Sequence, residues 1–290
     1  MSKSKGLGDT IKKVADTIGI RKCSKCSSKN SWWIKEVVIL IQLTIIKITG
    51  YGQWTLTLGS DREHELQILQ ASLYQKVQRL FSEKNCLVFQ NRSDEYFAIT
   101  NGMSLDDHVD IQKELQASFE IKISMTVGYG STPFDANVLA YNDKKDEKFL
   151  NKQYNIYGSF NGKEEQNITI MHIDVDNLTS KRKTLSPYET SSLMFKLYSK
   201  MSDFFLEKKS LAFFMGGDNF MVISNSDHKI NAQEFIDKIK TEMNLLLNCG
   251  IGISTTGRGA AKLATKSLDT IREIRDSGKE KPEVYELEWS

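Results

Sequence analysis

"AFFMGGDNFMVIS" (residues 212–224) sets two apolar runs on either side of Gly216, Gly217, Asp218 and Asn219. Apolar runs joined by so few turn-forming residues read as a β-hairpin. Two readings of the tip stay open at this point: turn chemistry alone, or a carboxylate presented to a ligand. Glycine serves either, because it permits a tight turn and lets a bound group approach the backbone.

The hairpin occurs twice. "LYQKVQRLFSEKNCLVFQNRSDEYFAIT" (residues 73–100) and "LYSKMSDFFLEKKSLAFFMGGDNFMVIS" (residues 197–224) place Tyr74 against Tyr198 and Asp94 against Asp218, both at an offset of 124. The offset persists from "VGYGSTPFDANVLA" (residues 127–140) to "IGISTTGRGAAKLA" (residues 251–264). Upstream, "LTIIKITGYG" lies over "ITIMHIDVDN", with Thr49 facing Asp174 at an offset of 125 after a one-residue indel. Self-similarity at this period predicts two homologous domains. The expected organisation is a basic extension over 1–36, a first domain over 37–145, a charged, Asn/Gly-rich linker over 146–166 and a second domain over 167–290.

Within each copy the elements read strand, long helix, hairpin, helix, strand, helix. The first helix of copy one starts at Ser60 or Asp61 and keeps Leu66, Leu69, Leu73, Val77 and Leu80 at helical spacing. This order predicts an α+β protein of two tandem ferredoxin-like, palm-type domains, each an antiparallel sheet with helices on one face.

Placing the first strand beside the hairpin brings the end of "MHIDVDN" to the tip of "MGGDNF", so Asp174 and Asp218 converge from separate elements. Two carboxylates about one cation apart suit magnesium, which keeps sites free for substrate phosphate. Asp176 falls on the same strand side as Asp174. Asn177 and the following turn offer groups to phosphate oxygens. His172 shares that side and is either a proton carrier or a strand histidine satisfied by hydrogen bonds. Arg258 and Lys262 stand at a helix start, where copy one has Phe134 and Val138, and are candidates for phosphate contact. Trp54 reads as core or as a stacking face for a purine.

Composition excludes little and names no partner. The 290 residues are 40% hydrophobic and 26% charged, and a net charge of +2 gives no general attraction to nucleic acid. The apolar run in "EVVILIQLTIIKI" is too short to span a bilayer and reads as a buried strand, so no membrane association is expected. Cys86 and Cys249 sit alone in apolar runs as small core residues, and the expected compartment is the cytoplasm. Cys23 and Cys26 form one C-x-x-C pair, where a structural zinc needs four ligands and no second pair is nearby, so the segment reads as a mobile basic tail rather than half of a zinc site shared across an oligomer.

"HIDVDNLT", "FFMGGDNFMVISN", "YGQWTLT", "LQILQASLY" and "CLVFQNRSDEYFAITNG" together resemble archaeal-type GTP cyclohydrolase III over residues 42–275. The resemblance implies two facing palm domains and hydrolytic opening of the guanine imidazole ring of GTP. It also implies a formamidopyrimidine monophosphate product, magnesium, an assisting monovalent cation such as K+, and a homo-oligomer. By the same resemblance Asp174 and Asp218 are metal-binding carboxylates and Gly216, Gly217 and Asn219 shape the nucleotide loop. The first half, with Trp54 and Asp94, is left to read the base. The chain departs from the family at Thr49 and Gly50, where the pattern has Asp-Asn, and at Glu95, where it has Asn. Two alternatives share the same carboxylate pair: a nucleotidyl cyclase or cyclic-oligonucleotide synthase, and a GTP sensor without turnover.

Overall fold

A computed structural model describes residues 21–22, 32–33, 40–159, 167–176, 178 and 184–288. The chain divides into Met1–Val38 and Ile39–Ser290. In the first unit β1 (Arg21–Lys22) pairs antiparallel with β2 (Trp32–Trp33). Cys23 and Cys26 lie outside the described residues.

The second unit holds both repeats. Its first half runs β3 (Ile41–Ile48), the short α1 (Tyr51–Leu56), α2 (Arg62–Glu83), β4 (Leu87–Arg92), β5 (Glu95–Ile99), α3 (Leu105–Ser118), β6 (Ile123–Gly130) and α4 (Pro133–Lys145). Residues 146–166, expected to be a linker, contain β7 (Phe149–Asn151) and β8 (Ile156–Gly158). These complete a six-stranded sheet of order β4-β5-β3-β6-β8-β7. The second half follows as β9 (Ile168–Val175), α5 (Pro187–Glu207), β10 (Leu211–Gly216), β11 (Asn219–Ser224), α6 (His228–Met243), β12 (Leu247–Ser254), α7 (Gly257–Asp276) and β13 (Val284–Glu288). Its sheet order is β10-β11-β9-β12-β13. The strand-helix-hairpin-helix-strand-helix order and the tandem palm-type α+β fold are those the repeat predicts.

The helices, however, cover both faces of each sheet. On one face α2 and α3 deliver Leu73, Val77, Phe81, Ile111 and Leu115 onto Ile46, Ile48, Tyr96 and Ala98. The alternate residues of the same strands, Leu43, Phe97 and Ile99, join Ile168, Ile170, Phe213 and Ile223 in a core shared by the two halves. Ala136 of α4 and Ala260, Ala261 and Ala264 of α7 complete it. Strand alternation thus feeds two cores from one strand.

Small residues explain why α4 and α7 lie so close. A Cβ on Gly128 would sit 2.2 Å from the Ala136 carbonyl oxygen, and one on Gly252 would sit 2.1 Å from that of Ala260. The two contacts are 124 residues apart. Glycine inside a strand marks just such a backbone approach.

The halves meet about a pseudo-two-fold axis. Phe89 and Phe213, repeat mates, stack on each other with centroids 4.4 Å apart. The Phe134 N–H donates to the Lys209 carbonyl at 3.2 Å, and the Arg258 N–H donates to the Asn85 carbonyl at 3.2 Å. Both acceptor residues carry positive φ, 57° for Lys209 and 58° for Asn85, in the turn that precedes the hairpin.

The first half also buries a polar group of titratable character. His108 is fully buried on α3, with Nδ1 on the Ser104 carbonyl at 2.7 Å and Nε2 on the Thr44 hydroxyl at 2.8 Å. Burial pulls its imidazole below the ordinary range, so the neutral form is the folded one. Its unfolded counterpart takes up a proton near pH 6.5, and stability is lost as pH falls below that value. Unfolding free energies from denaturant titrations between pH 7 and 5 should fall by up to about 1.4 kcal/mol per pH unit from this one proton. His108→Gln should be less stable at pH 7 and should lose that part of the slope.

Candidate active site

β9 lies between β11 and β12, and its register sets the site. Asn219, Asp174 and Asn248 form one row across the three strands. Asp218 stands one residue before Asn219, at a turn where Gly216 and Gly217 adopt φ of 101° and 65°. Those angles suit glycine and little else. The structure therefore brings Asp174, Asp218, Asn219 and the two glycines together. Asn177 lies outside the described residues.

Asp174 is only 5% exposed. Its Oδ2 accepts from Arg272 at 2.6 Å, while its Oδ1 is buried with no hydrogen-bond partner among the described residues. An orphan carboxylate oxygen inside a protein is costly unless a cation or donor reaches it. Asp176, on the same side, accepts from Arg275 at 3.1 Å and pairs with Lys281 at 3.2 Å. Burial pushes the Asp176 carboxyl upward, and Lys281, Asn248 and Arg275 outweigh that, holding it below the usual carboxylate range. Asp176 is thereby satisfied within the chain, and Asp174 is left with an oxygen to spare.

A directed chain of hydrogen bonds runs from α7 to the hairpin tip. Asn219 Nδ2 donates to Asp218 Oδ1 at 3.1 Å, and Asn219 Oδ1 accepts from His172 Nε2 at 3.0 Å. His172 Nδ1 then accepts from the Thr265 hydroxyl at 3.1 Å. Burial pulls the His172 imidazole below its ordinary range, with Asn219 only partly opposing, so it sits here as the neutral tautomer. Both its nitrogens are occupied, and it reaches Asp218 only through Asn219. The geometry gives His172 a positioning place.

Gly217 also lines a cavity of ≈ 500 Å³ between the hairpin and the start of α5. Leu185, Pro187, Met194, Phe195 and Phe214 form its apolar wall. Phe195 is 57% exposed and meets Phe214 edge-on at 5.8 Å, so an aromatic face borders the opening. The hydroxyls of Thr190 and Ser191 are turned onto the carbonyls of Ser186 and Pro187, which keeps the wall apolar.

The first half keeps the hairpin acid, as Asp94, and differs at the other positions. β3 pairs Lys47 with Glu95 and with Ser124, the repeat mates of Asn219 and Asn248. Likewise the Thr49 N–H donates to the Lys122 carbonyl as the Asp176 N–H does to that of Leu246. The structural offset of this strand is 127, not 125. Lys47, and not Thr49, occupies the place of Asp174, and Thr49 occupies that of Asp176. The Lys47 ammonium is held by Glu95 at 3.0 Å, and Arg92 reaches Asp94 at 3.5 Å. A cationic side chain thus stands where the second half holds its buried carboxylate. On the α2 side Tyr51 packs into the first core and its hydroxyl accepts from Gln70 at 2.5 Å. Trp54 lies beside Tyr51 on α1 and lines neither of the two cavities described here.

Arg258 and Lys262 are also held apart from the carboxylates. Arg258 Nη1 donates to the Ser82 carbonyl at 2.9 Å. At 1.5 Å per residue, about 21 Å of helix separates it from Arg272, which touches Asp174. The cations that do reach the site, Arg272, Arg275 and Lys281, escape a reading by motif. Their signal was the i, i+3 spacing of the two arginines in "IREIRD", on the last turns of a helix whose apolar face is continuous.

A two-palm protein with one intact carboxylate site beside an aromatic cavity is the class that this geometry defines. The sequence pattern of GTP cyclohydrolase III matches residues 41–284. The chain is 35% identical over 246 residues to GTP cyclohydrolase III of Methanothermobacter thermautotrophicus, covering 80% of this chain and 95% of that protein. It is 34% identical over 245 residues to that of Methanobrevibacter smithii, covering 82% and 96%. For that of Methanocaldococcus jannaschii the figures are 33% over 240 residues, 80% and 88%. The chain belongs to the GTP cyclohydrolase III family.

Proposed function

We propose that this protein is a GTP cyclohydrolase of the family's type, working through the second half alone. One observation carries the placement: the Gly217–Asp218 turn borders the aromatic cavity on one side and the carboxylate row on the other. A nucleotide laid across that turn puts its base against Phe195 and Phe214 and its phosphates toward Asp218 and Asp174.

The residues fit a magnesium ion. Asp174 Oδ1 is buried and unpartnered among the described residues, and Asp218 is oriented by Asn219. Magnesium takes one or two carboxylates and completes its shell with water and phosphate, which these two acids would allow. When bound, magnesium supplies the positive charge that offsets the triphosphate. The chain's own residues hold the rest: Arg272 fixes the Asp174 carboxylate, the His172–Asn219 bond fixes the hairpin tip, and the cavity wall excludes water from the base. The expected reaction is imidazole opening to a formamidopyrimidine monophosphate with release of phosphate. A monovalent cation such as K+ assists.

We expect the protein to act as a homo-oligomer in the cytoplasm. The buried thiols of Cys86 and Cys249 are in keeping with a reducing compartment. Among the described residues no helix is long and apolar enough to cross a membrane.

Replacing Phe195 by alanine removes the exposed aromatic edge of the cavity without emptying the core. Stacking is worth about 1–3 kcal/mol per base, so KM for GTP should rise about 5- to 150-fold with kcat much less changed. Steady-state kinetics with Phe195→Ala and Phe195→Tyr check this. An unchanged KM in the alanine variant would remove the base from this cavity.

A further inference from the structure

Arg258, Lys262 and Lys266 stand on successive turns of α7 and, with Asn85, Thr265 and Asp269, line a second cavity of ≈ 830 Å³. It opens at the joint where the α2–β4 turn of the first half meets α7 of the second. We propose that this cleft is a second anion site, which binds a phosphate chain without a metal.

The pseudo-symmetry provides the comparison. The same joint is built twice, once by Lys209 with α4 and once by Asn85 with α7. In the first, Lys209 Nζ bridges to Asp135 Oδ1 at 3.3 Å. In the second, the repeat mates of that pair are Asn85 and Gly259, so no ion pair spans the gap. The helix positions change with it: Phe134, Val138 and Asn142 of α4 become Arg258, Lys262 and Lys266 of α7. The fold needs no charge at these places, since the first joint is made without it.

The three cations are also poorly compensated. Lys262 and Lys266 are exposed and make no ion pair among the described residues. Arg258 spends one N–H on the Ser82 carbonyl. The nearest acid in the cavity wall, Asp269, is bridged to Arg272 at 3.0 Å. Like charges one turn apart repel, and an anion between them removes that repulsion. Ammonium groups flanking a guanidinium suit a chain of phosphates rather than one planar carboxylate. The volume lies in the range of nucleotide-sized sites. Helix rise keeps Arg258 away from the Asp174 carboxylate, while the far end of the cleft reaches the site indirectly: Thr265 in its wall holds His172, and Asp269 bridges Arg272.

The test is calorimetric titration of the full-length Asp218→Asn protein with inorganic pyrophosphate and, separately, GTP, in EDTA at low salt. Saturable binding is expected, and Lys262→Gln with Lys266→Gln should weaken it about tenfold or more. Lys262→Arg with Lys266→Arg should preserve it, and Lys200→Gln, on α5, should leave it unchanged. Tighter binding of GTP than of pyrophosphate, lost in the double glutamine variant, would identify a nucleotide as the occupant of the cleft, and equal affinity a free phosphate chain. Absence of saturable binding without metal, or undiminished binding by the double glutamine variant, would overturn the proposal. Metal is absent and the hairpin acid removed, so pyrophosphate binding and its dependence on Lys262 and Lys266 are independent of the active-site assignment.

Discussion

Asp218→Asn is expected to lower magnesium-dependent GTP turnover by about 10²–10³-fold with little change in thermal stability. Asp218 is half-buried at a turn, and its one internal bond, from Asn219, is available to an amide oxygen as well. What the substitution removes is negative charge at the point where cation and phosphate meet. Asp174→Asn should lower turnover equally but with a second effect. Arg272 loses the carboxylate it contacts at 2.6 Å, and breaking an ion pair with one buried member is destabilising. Since the Arg272 side chain is 39% exposed, water screens much of that loss, and about 1–2 kcal/mol is the expected cost. Thermal melts and initial rates on the two variants separate the effects: equal loss of rate, unequal loss of stability. Near-normal rates in both would remove these carboxylates from the chemistry.

Gly252→Ala should damage the fold itself. The added methyl would lie 2.1 Å from the Ala260 carbonyl oxygen and 2.3 Å from the Ala264 nitrogen. Both are backbone atoms of α7, so no rotamer change relieves the contact. The helix must lift from β12, and with it go Thr265 and Arg272, the partners of His172 and Asp174. Overpacking of this kind costs about 3 kcal/mol or more, which corresponds to a fall in Tm of about 6–12 °C for a chain of this size. Gly52→Ala is the control, because nothing stands within 4 Å of its added Cβ on α1. A melting temperature unchanged by Gly252→Ala would contradict the close packing of α7.

Much of this was legible in the sequence because it is local or repeated. The apolar runs around Gly216–Asn219 announce a hairpin, and the offset of 124 announces its duplicate. The convergence of Asp174 and Asp218 follows once the first strand is laid beside the hairpin. The register of the first strand did not follow. Offsets of 125 and 127 differ by two residues, and a shift of two leaves every side chain on the same face of a strand. Hydropathy is therefore blind to the choice, and only the ladder partners Glu95 and Ser124 show Lys47 in the place of Asp174. The helices on the second face escaped for a related reason. α4 and α7 bury mainly alanine against glycine, a weak apolar signal that yields close backbone packing. The arginines that hold the site come from nearly 100 residues downstream, and no short-range pattern joins them to Asp174 and Asp176.

The replacement of Asp174 by Lys47 in the first half bears on what that half does. A lysine bound to Glu95 has its charge met inside the chain, so the first palm has no carboxylate pair to offer a metal. The first half then contributes the facing core, the Phe89–Phe213 stack and the turn that borders the α7 cleft. On the proposed reading, catalysis rests on one site per chain.

The most direct test is the ultraviolet spectrum and mass of the product formed from GTP and magnesium by the unsubstituted protein. The account predicts loss of the intact-purine absorption and a monophosphate that retains the formyl group. An unchanged purine chromophore, with either a cyclic nucleotide mass or unreacted GTP, would contradict it.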